Sequence, residues 1–267
     1  MLAQQRQSLI LDRIRRAGSV RVSDLTEELS VSDMTVRRDL DALARRGLVE
    51  KVHGGAVLAG TLSSHEPGFE AKASRELPSK EAIARTAAGL VMPGSAIALS
   101  AGTTTWLLAQ HLLEVPSLTV VTNSLRVAET FAAVHRHDTT LILTGGVRTP
   151  SDALVGPVAD LAIRSLHFDV LFLGCHGIDP DAGLTTPNLA ESETNRAFVR
   201  SARRVVVTAD HTKWGTVGLS SFADLDEVDT LVIDPGLPPD ARAVATERIR
   251  QVVLVDDTAA AVGLSSD

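Results

Sequence analysis

The chain is 267 residues long, 44% hydrophobic and 22% charged, enough for two domains with buried cores and ordinary for a soluble globular protein. Its single cysteine, Cys175, excludes an internal disulfide framework and a cysteine-based zinc site. No apolar run reaches the roughly 20 residues of a membrane span, and no charged-then-apolar leader opens the chain, so a cytoplasmic protein is expected.

The formal net charge of −7 is unevenly spread. Residues 1–60 hold 10 Lys and Arg against 8 Asp and Glu, the remainder 16 against 25, as expected of a nucleic-acid-facing module joined to an acidic one. In chain order, Ile10 and Ile14 stand one turn apart with Leu9 and Leu11 beside them, which predicts a helix over 4–16 ended by Gly18. "SVRV" (19–22) alternates as a short strand, and Ser23 is expected to cap a helix through Leu29 with Leu25 and Leu29 inward. After a turn at "SVS" (30–32), Ser32 caps a third helix and Asp33 complements its dipole. Val36, Leu40 and Leu43 form the apolar stripe of that helix, and Gly47 ends it. "LVEKVHGGAVL" (48–58) predicts two short strands around a Gly-Gly hairpin.

Residues 59–78 lack a period and are rich in Gly, Ser and Pro, which predicts a linker between domains at 1–58 and 79–267. Beyond it, strand candidates at 96–99, 118–122, 140–144, 169–173, 204–208, 229–233 and 252–255 alternate with helical segments at 80–91, 104–113, 124–134, 157–165, 190–202 and 239–250. That alternation predicts an α/β domain, a mostly parallel sheet covered by helices.

On the third helix the core stripe leaves Thr35, Arg37, Arg38, Asp41 and Arg45 on other faces. Arginine pairs bidentately with a guanine edge, and threonine can meet a phosphate or a thymine methyl. Helix, short turn, helix is the layout that sends its later helix into the major groove. Ser32 stands at the start of that helix, and the following hairpin would offer Lys51, His53 and the backbone of Gly54 and Gly55 to the DNA backbone or minor groove. A solvated charged helix in a small bundle has the same periodicity. The string "VSDMTVRRDLDALARRGLVEKVHGGAV" decides between them, because it closely resembles the N-terminal signature of DeoR-type bacterial transcriptional regulators, a winged helix-turn-helix. The resemblance runs from about Gln5 to Val57. It implies that Thr35, Arg37 and Arg38 lie at the DNA surface and Leu40, Leu43 and Leu48 in the core, with Asp39 and Asp41 orienting the arginines.

In the remainder, "ALSAGTTTWLLAQHL" (98–112) passes from an apolar strand through a small-residue turn into a helix. Gly102 permits close backbone approach, and Thr103, Thr104 and Thr105 set hydroxyls beside the unpaired N–H groups of the helix start, which suits a phosphate. An ordinary threonine-capped βα turn is the plainer reading. The loop is neither a GxGxxG fingerprint nor a GxxxxGK[ST] loop, so no nucleotide cofactor is expected. In a parallel sheet the strand ends gather ligand loops on one edge. "TNS" (122–124), "TGGVR" (144–148), "GCHGID" (174–179) and "TADHTKWG" (208–215) would then converge on it, with Lys213 as a point charge for phosphate and Asn123, Glu191 or Asp210 as partners for hydroxyls. "HRHD" (135–138) is read as a solvated loop rather than a metal site, and Cys175 as a small buried residue.

"AGTTT", "VVTNS", "LTGG", "ALVGP", "GIDPDAGLTTPNLAE" and "ADHTKWG" also resemble, in order, the sensor domain of the same family over roughly residues 69–256. Such sensors resemble ribose-5-phosphate isomerase in fold and bind phosphorylated sugars or related metabolites. The resemblance places Gly102, Thr103, Thr104, Thr105 and Lys213 around a phosphate, with Asn123, Gly145, Gly146, Arg148, Asp152 and Glu191 as further site candidates. One departure stands out: the family's "DSGTT" is "SAGTT" here, with Ser100 and Ala101 in place of the aspartate and serine. The alternative is a sugar-phosphate isomerase fused to a DNA module. Its "DGADE" pattern appears as "LGCHGID", without the first two acidic positions, although Glu191 remains as a base. The expectation is a transcription factor, a repressor, with operator DNA and a phosphorylated effector as partners. It is expected to use no metal, to have no membrane association and to assemble as a homodimer or homotetramer.

Overall fold

The computed structural model describes residues 2–17, 19–52, 54–58, 66, 68–134 and 136–255. They fall into two compact units, one running through 65 and taking in 70–75, the other taking 66–69 and everything from 76 onward.

The first unit comprises α1 (Ala3–Ala17), β1 (Ser19–Arg21), α2 (Val22–Leu29), α3 (Asp33–Arg45), β2 (Val49–Val52) and β3 (Gly55–Leu58). Ile10, Ile14, Leu25, Val36, Leu40, Leu43 and Val49 close a core between the three helices and the small sheet. That sheet is antiparallel, ordered β1-β3-β2. Gly55 lets it close, because a Cβ there would lie 2.1 Å from the Val20 carbonyl oxygen. Ser32 caps α3 as expected, accepting from the Thr35 N–H at 3.3 Å. Ser23 does not cap α2: the helix starts one residue earlier, and the Val22 N–H donates to the Gly54 carbonyl at 2.8 Å. The hairpin backbone therefore does the work expected of a serine.

Between the units, the stretch read as a linker holds α4 (Phe69–Ala73), and α5 begins at Leu77. Residues 59–65 and 67 lie outside the described residues.

In the second unit, α5 (Leu77–Ala88) precedes β4 (Ala96–Leu99), α6 (Thr103–His111), β5 (Thr119–Thr122), α7 (Leu125–Ala132) and β6 (Thr140–Leu143). A short pair, β7 (Val147–Arg148) and β8 (Leu154–Val155), leads into α8 (Pro157–Arg164) and β9 (Val170–Leu173). Then follow β10 (Gly177–Asp179), β11 (Gly183–Thr186), α9 (Leu189–Ser201), β12 (Val205–Thr208), β13 (Ser220–Ala223), β14 (Thr230–Ile233), α10 (Pro239–Arg248) and β15 (Gln251–Leu254). Among the described residues these form a seven-stranded parallel sheet ordered β15-β14-β12-β9-β4-β5-β6, built from the seven segments predicted as strands. A sheet buried on both faces needs apolar side chains on both. Val205 and Val207 accordingly face a core with Leu171, Phe198 and Leu231, while Val206 faces Ile83, Leu99, Leu108 and Phe172. Separate antiparallel pieces, β10-β11-β13 and β7-β8, sit outside this sheet. No helix among the described residues is long and apolar enough to cross a membrane.

The first unit carries a buried acid. Asp39, 3% exposed, accepts from Arg6 Nε and from Gln7 Nε2 at 3.1 Å, fastening α3 to α1. Breaking a buried pair leaves a charge without its partner, so Asp39→Ala should destabilise this unit by about 3–5 kcal/mol. Arg6→Met combined with Asp39→Leu should cost much less. Urea unfolding of the three proteins checks this, and a double variant as unstable as the single one would show that apolar packing cannot replace the pair.

Candidate functional site

On α3 the exposed face is organised by local ion pairs. Asp33 Oδ1 takes Arg37 Nε at 2.5 Å, one turn along. That hydrogen bond raises the guanidinium above its ordinary value and holds the Asp33 carboxyl below the usual carboxylate range. Lys51 Nζ reaches Asp41 at 2.5 Å and so joins β2 to α3. The expectation that Asp39 and Asp41 orient the arginines is corrected: Asp39 serves α1, Asp41 serves Lys51, and Asp33 holds Arg37. Arg38 is exposed and makes no hydrogen bond or ion pair among the described residues. The Thr35 hydroxyl bonds to Ser32 Oγ at 2.8 Å. Met34 is 63% exposed in the first turn, an apolar side chain suited to a thymine methyl that the periodicity did not single out. At the hairpin, Gly54 has φ +77° with open space around it. His53 lies outside the described residues.

In the second unit the strand order reverses between β4 and β9, whose register sets Ala98 beside Leu171 and Leu99 beside Phe172. A crevice at such a switch point is where open α/β sheets hold ligands. The two loops are stitched together there: Ser100 Oγ accepts the Gly174 N–H at 3.0 Å, and a Cβ on Gly102 would meet the Gly174 Cα at 4.0 Å. Ser100 is 1% exposed, so its hydroxyl is committed to the scaffold. The Thr105 hydroxyl donates to the Ser100 and Gly102 carbonyls at 2.7 and 3.0 Å, which commits it likewise. No side chain caps the start of α6, so the first N–H groups of the Thr103–Thr105 turn take no side-chain partner.

The neighbouring loops converge on this turn. Asn123 Oδ1 accepts the Ala101 N–H at 2.9 Å and its Nδ2 donates to the Leu154 carbonyl at 3.1 Å, so its amide ties three loops together. Gly145 and Gly146 have φ +71° and +122°, and a Cβ on Gly146 would meet the Val155 carbonyl oxygen at 2.6 Å. Arg148 Nε and Arg126 Nε each reach the Asp152 carboxylate at 2.8 Å. Burial alone would raise that carboxyl; the two guanidinium hydrogen bonds outweigh it and hold Asp152 below the usual carboxylate range. Asp210 is 1% exposed and accepts from the Thr212 N–H and hydroxyl, capping the turn that carries Lys213. The Lys213 ammonium makes no hydrogen bond or ion pair among the described residues. It lies near Cys175, whose thiol desolvation pushes up to about 12 against the pull of Lys213. Glu191 stands in the first turn of α9, where Asn188 Oδ1 accepts its N–H at 3.2 Å.

The candidates therefore divide. Ser100, Thr105, Asn123, Asp152 and Asp210 hold loops in place, while the side chains of Thr103, Thr104 and Lys213 make no hydrogen bond among the described residues. In the "HRHD" stretch, Arg136 pairs with Asp138 at 2.7 Å, and His135 lies outside the described residues. Trp106, read from its place after "TTT" as a packing residue, meets Phe69, over which Arg126 also lies. Sequence reading passed over Phe69 and Arg126, and over Glu66, Ser151 and Asn188, which share hydrogen bonds.

Comparison with known proteins bears on both units. Residues 6–61 match the model of the DeoR-like helix-turn-helix domain, and residues 75–235 that of the DeoR C terminal sensor domain. The HTH-type transcriptional regulator GlpR of Haloferax volcanii is 36% identical over 91% of this chain and 94% of its own. The glycerol-3-phosphate regulon repressor of Escherichia coli K12 is 33% identical over 94% of this chain and 98% of its own. Ribose 5-phosphate isomerase A from Methanocaldococcus jannaschii overlaps 51% of this chain and 54% of its own at 16% identity and TM-score 0.37, a likeness too slight to bear on chemistry.

Two outcomes follow from this geometry. Arg38→Ala should weaken binding to a selected duplex by about 1–3 kcal/mol relative to scrambled DNA at matched salt. Arg37→Ala should cost less, because Asp33 already engages that guanidinium. Equal affinity of Arg38→Ala and wild type for both duplexes would remove Arg38 from the interface. Cys175 is half-buried rather than buried as expected; with desolvation raising its thiol, it should react with Ellman's reagent more slowly in the folded chain than in urea at pH 8, and equal rates would contradict that desolvation.

Proposed function

Because the chain belongs to the DeoR family of transcriptional regulators, we propose that it represses genes of sugar or carbon metabolism and that a phosphorylated sugar or related metabolite controls it. Residues 1–58 would read DNA, 59–78 form the tether and 79–267 the sensor. The observation that carries the effector reading is the uncapped start of α6 opening at the β4–β9 switch point, with an unpaired Lys213 ammonium on the adjoining loops. A helix start and a lysine together offer backbone donors and a positive charge to one phosphate group. Thr103, Thr104 and Lys213 are the proposed contacts, with Ala101 and Gly102 lending backbone. Gly145, Gly146, Arg148 and Glu191 form the proposed hydroxyl side, on the scaffold of Ser100, Thr105, Asn123, Asp152 and Asp210. A relative named for glycerol 3-phosphate makes a phosphorylated polyol a sensible first probe.

The chain is a regulator and not an enzyme, as its family and relatives are. Of the base and charge-stabilising groups an enediol reaction needs, the positions of the isomerase's first two acids hold Leu173 and His176 rather than carboxylates. One winged head contacts little DNA, so we propose at least a dimer whose heads meet half-sites spaced near multiples of about 10 bp. An effector controls such an assembly by binding its two states unequally.

Thermal shift with phosphorylated sugars and polyols and their unphosphorylated counterparts identifies the effector. Lys213→Ala should then cost about 1.5–3 kcal/mol of effector binding, the worth of a charge-assisted hydrogen bond, and leave DNA affinity without effector nearly unchanged. Titrating the phosphorylated and unphosphorylated compounds against wild type and variant makes a double-mutant cycle. Fully additive losses would show that Lys213 does not touch the phosphate.

A further inference from the structure

The chain that leaves the DNA-reading unit reaches the second unit at Glu66 and Phe69, and both are fastened there. Glu66 Oε1 accepts from Ser151 Oγ at 2.5 Å and Oε2 from Asn188 Nδ2 at 2.8 Å. Phe69 is 6% exposed; its N–H donates to the Pro150 carbonyl at 3.3 Å and its ring meets Trp106 edge-on, centroids 5.6 Å apart at 79°. The Arg126 guanidinium lies 5.0 Å above the same ring.

Trp106, Ser151 and Asn188 each lie in or beside a segment that carries a proposed effector group or its scaffold. Trp106 follows Thr103–Thr105 directly and donates its N–H to the Gly102 carbonyl at 3.0 Å. Ser151 adjoins Asp152, whose carboxylate links Arg126 to Arg148 and whose backbone is held at φ +59°. Asn188 caps the helix turn of Glu191. We propose that Glu66 and Phe69 form a clip that fixes the tether to the effector-binding loops, and that they are the positioning residues through which effector binding reaches the DNA-reading unit. The inference rests on the effector reading above for its cause and on the packing just described for its path.

The physics favours a device with two positions. A carboxylate held by two neutral donors from separate loops keeps both bonds only while the loops keep their spacing, and losing either leaves it poorly solvated. Arg126 is shared between the Phe69 face and Asp152. An anion that draws Arg148 or shifts the Asp152 loop changes what Arg126 has left for the ring. An opened clip releases Glu66 and Phe69 from the effector loops just before residues 70–75, which group with the first unit, and so changes the second head's effective concentration at its half-site. By linkage, whatever factor the effector takes from DNA affinity, DNA takes from effector affinity.

The full chain tests this with a duplex that wild type selects from a randomised pool. Glu66→Ala removes the acceptor of both bonds; Phe69→Ala removes the ring, and Phe69→Tyr restores it. Melting is followed in parallel. The first two variants should bind the duplex about fivefold or more weakly, and Phe69→Tyr should stay within about twofold of wild type, as an innocuous substitution does. If Phe69→Ala melts far below wild type, Glu66→Ala decides alone. Wild-type duplex affinity in the folded clip variants overturns the clip. Inorganic phosphate is then added as the anion probe: it should weaken duplex binding by wild type and have little further effect on the clip variants. A phosphate effect of wild-type size in those variants also overturns the clip. A clip-variant loss with no phosphate effect on wild type supports the clip and sinks the phosphate reading, so the two failures are distinguishable.

Discussion

The second unit depends on one adjacency, that of β4 and β9, strands more than 70 residues apart in the chain and side by side in the sheet. Their pairing reverses the strand order, and the reversal opens the crevice. The bond from the Gly174 N–H to Ser100 Oγ closes the floor of that crevice just past the last ladder residues. Once the two loops are joined, the start of α6 has a fixed direction; Cys175 follows in the β9 loop itself, and the Lys213 turn follows β12, the next strand over. A parallel sheet supplies all of this at one edge, because all of its strands end there.

Most polar side chains at that edge are engaged with the protein itself. Asn123, Thr105, Asp210 and Asp152 spend their capacity on backbone groups or arginines. Such committed groups lower the ordering cost of binding, since the loops are already positioned when a ligand arrives. The serine at position 100 fits this role. Its hydroxyl serves as an acceptor for the Gly174 N–H in a site 1% exposed, so the missing carboxylate is a loss of charge near the crevice rather than a loss of the loop's shape.

How much of this was legible follows from what each element depends on. The seven sheet strands are short apolar, β-branched runs bounded by polar turns, and each announced itself without its neighbours. The start of α3 was equally plain, because Ser32 acts on a backbone group three residues away. By contrast β7, β8, β10, β11 and β13 are two to four residues long and include Gly177, Arg148 and Ser220; their strand character comes from partners distant in sequence. The cap of α2 was misassigned for a related reason, since the Gly54 carbonyl that meets the Val22 N–H arrives from the hairpin. The site residues in loops were legible by type, but their division into scaffold and ligand groups required distances. Glu66 was hidden most deeply, in a stretch without period, its partners Ser151 and Asn188 lying 85 and 122 residues away.

The charge asymmetry of the sequence takes on meaning in this setting. Nonspecific DNA binding comes almost wholly from neutralised phosphates, and the reading module carries only a small positive excess while the remainder is strongly negative. In that module Arg37 and Lys51 are already paired with Asp33 and Asp41, which trims the free positive charge further. A chain so balanced gains little from an arbitrary stretch of duplex. If Arg38 reads a base edge and Glu66 and Phe69 act as proposed, the hold on DNA would come from directed contacts and from the spacing of paired heads. The less such heads held on their own, the more their grip would depend on that spacing.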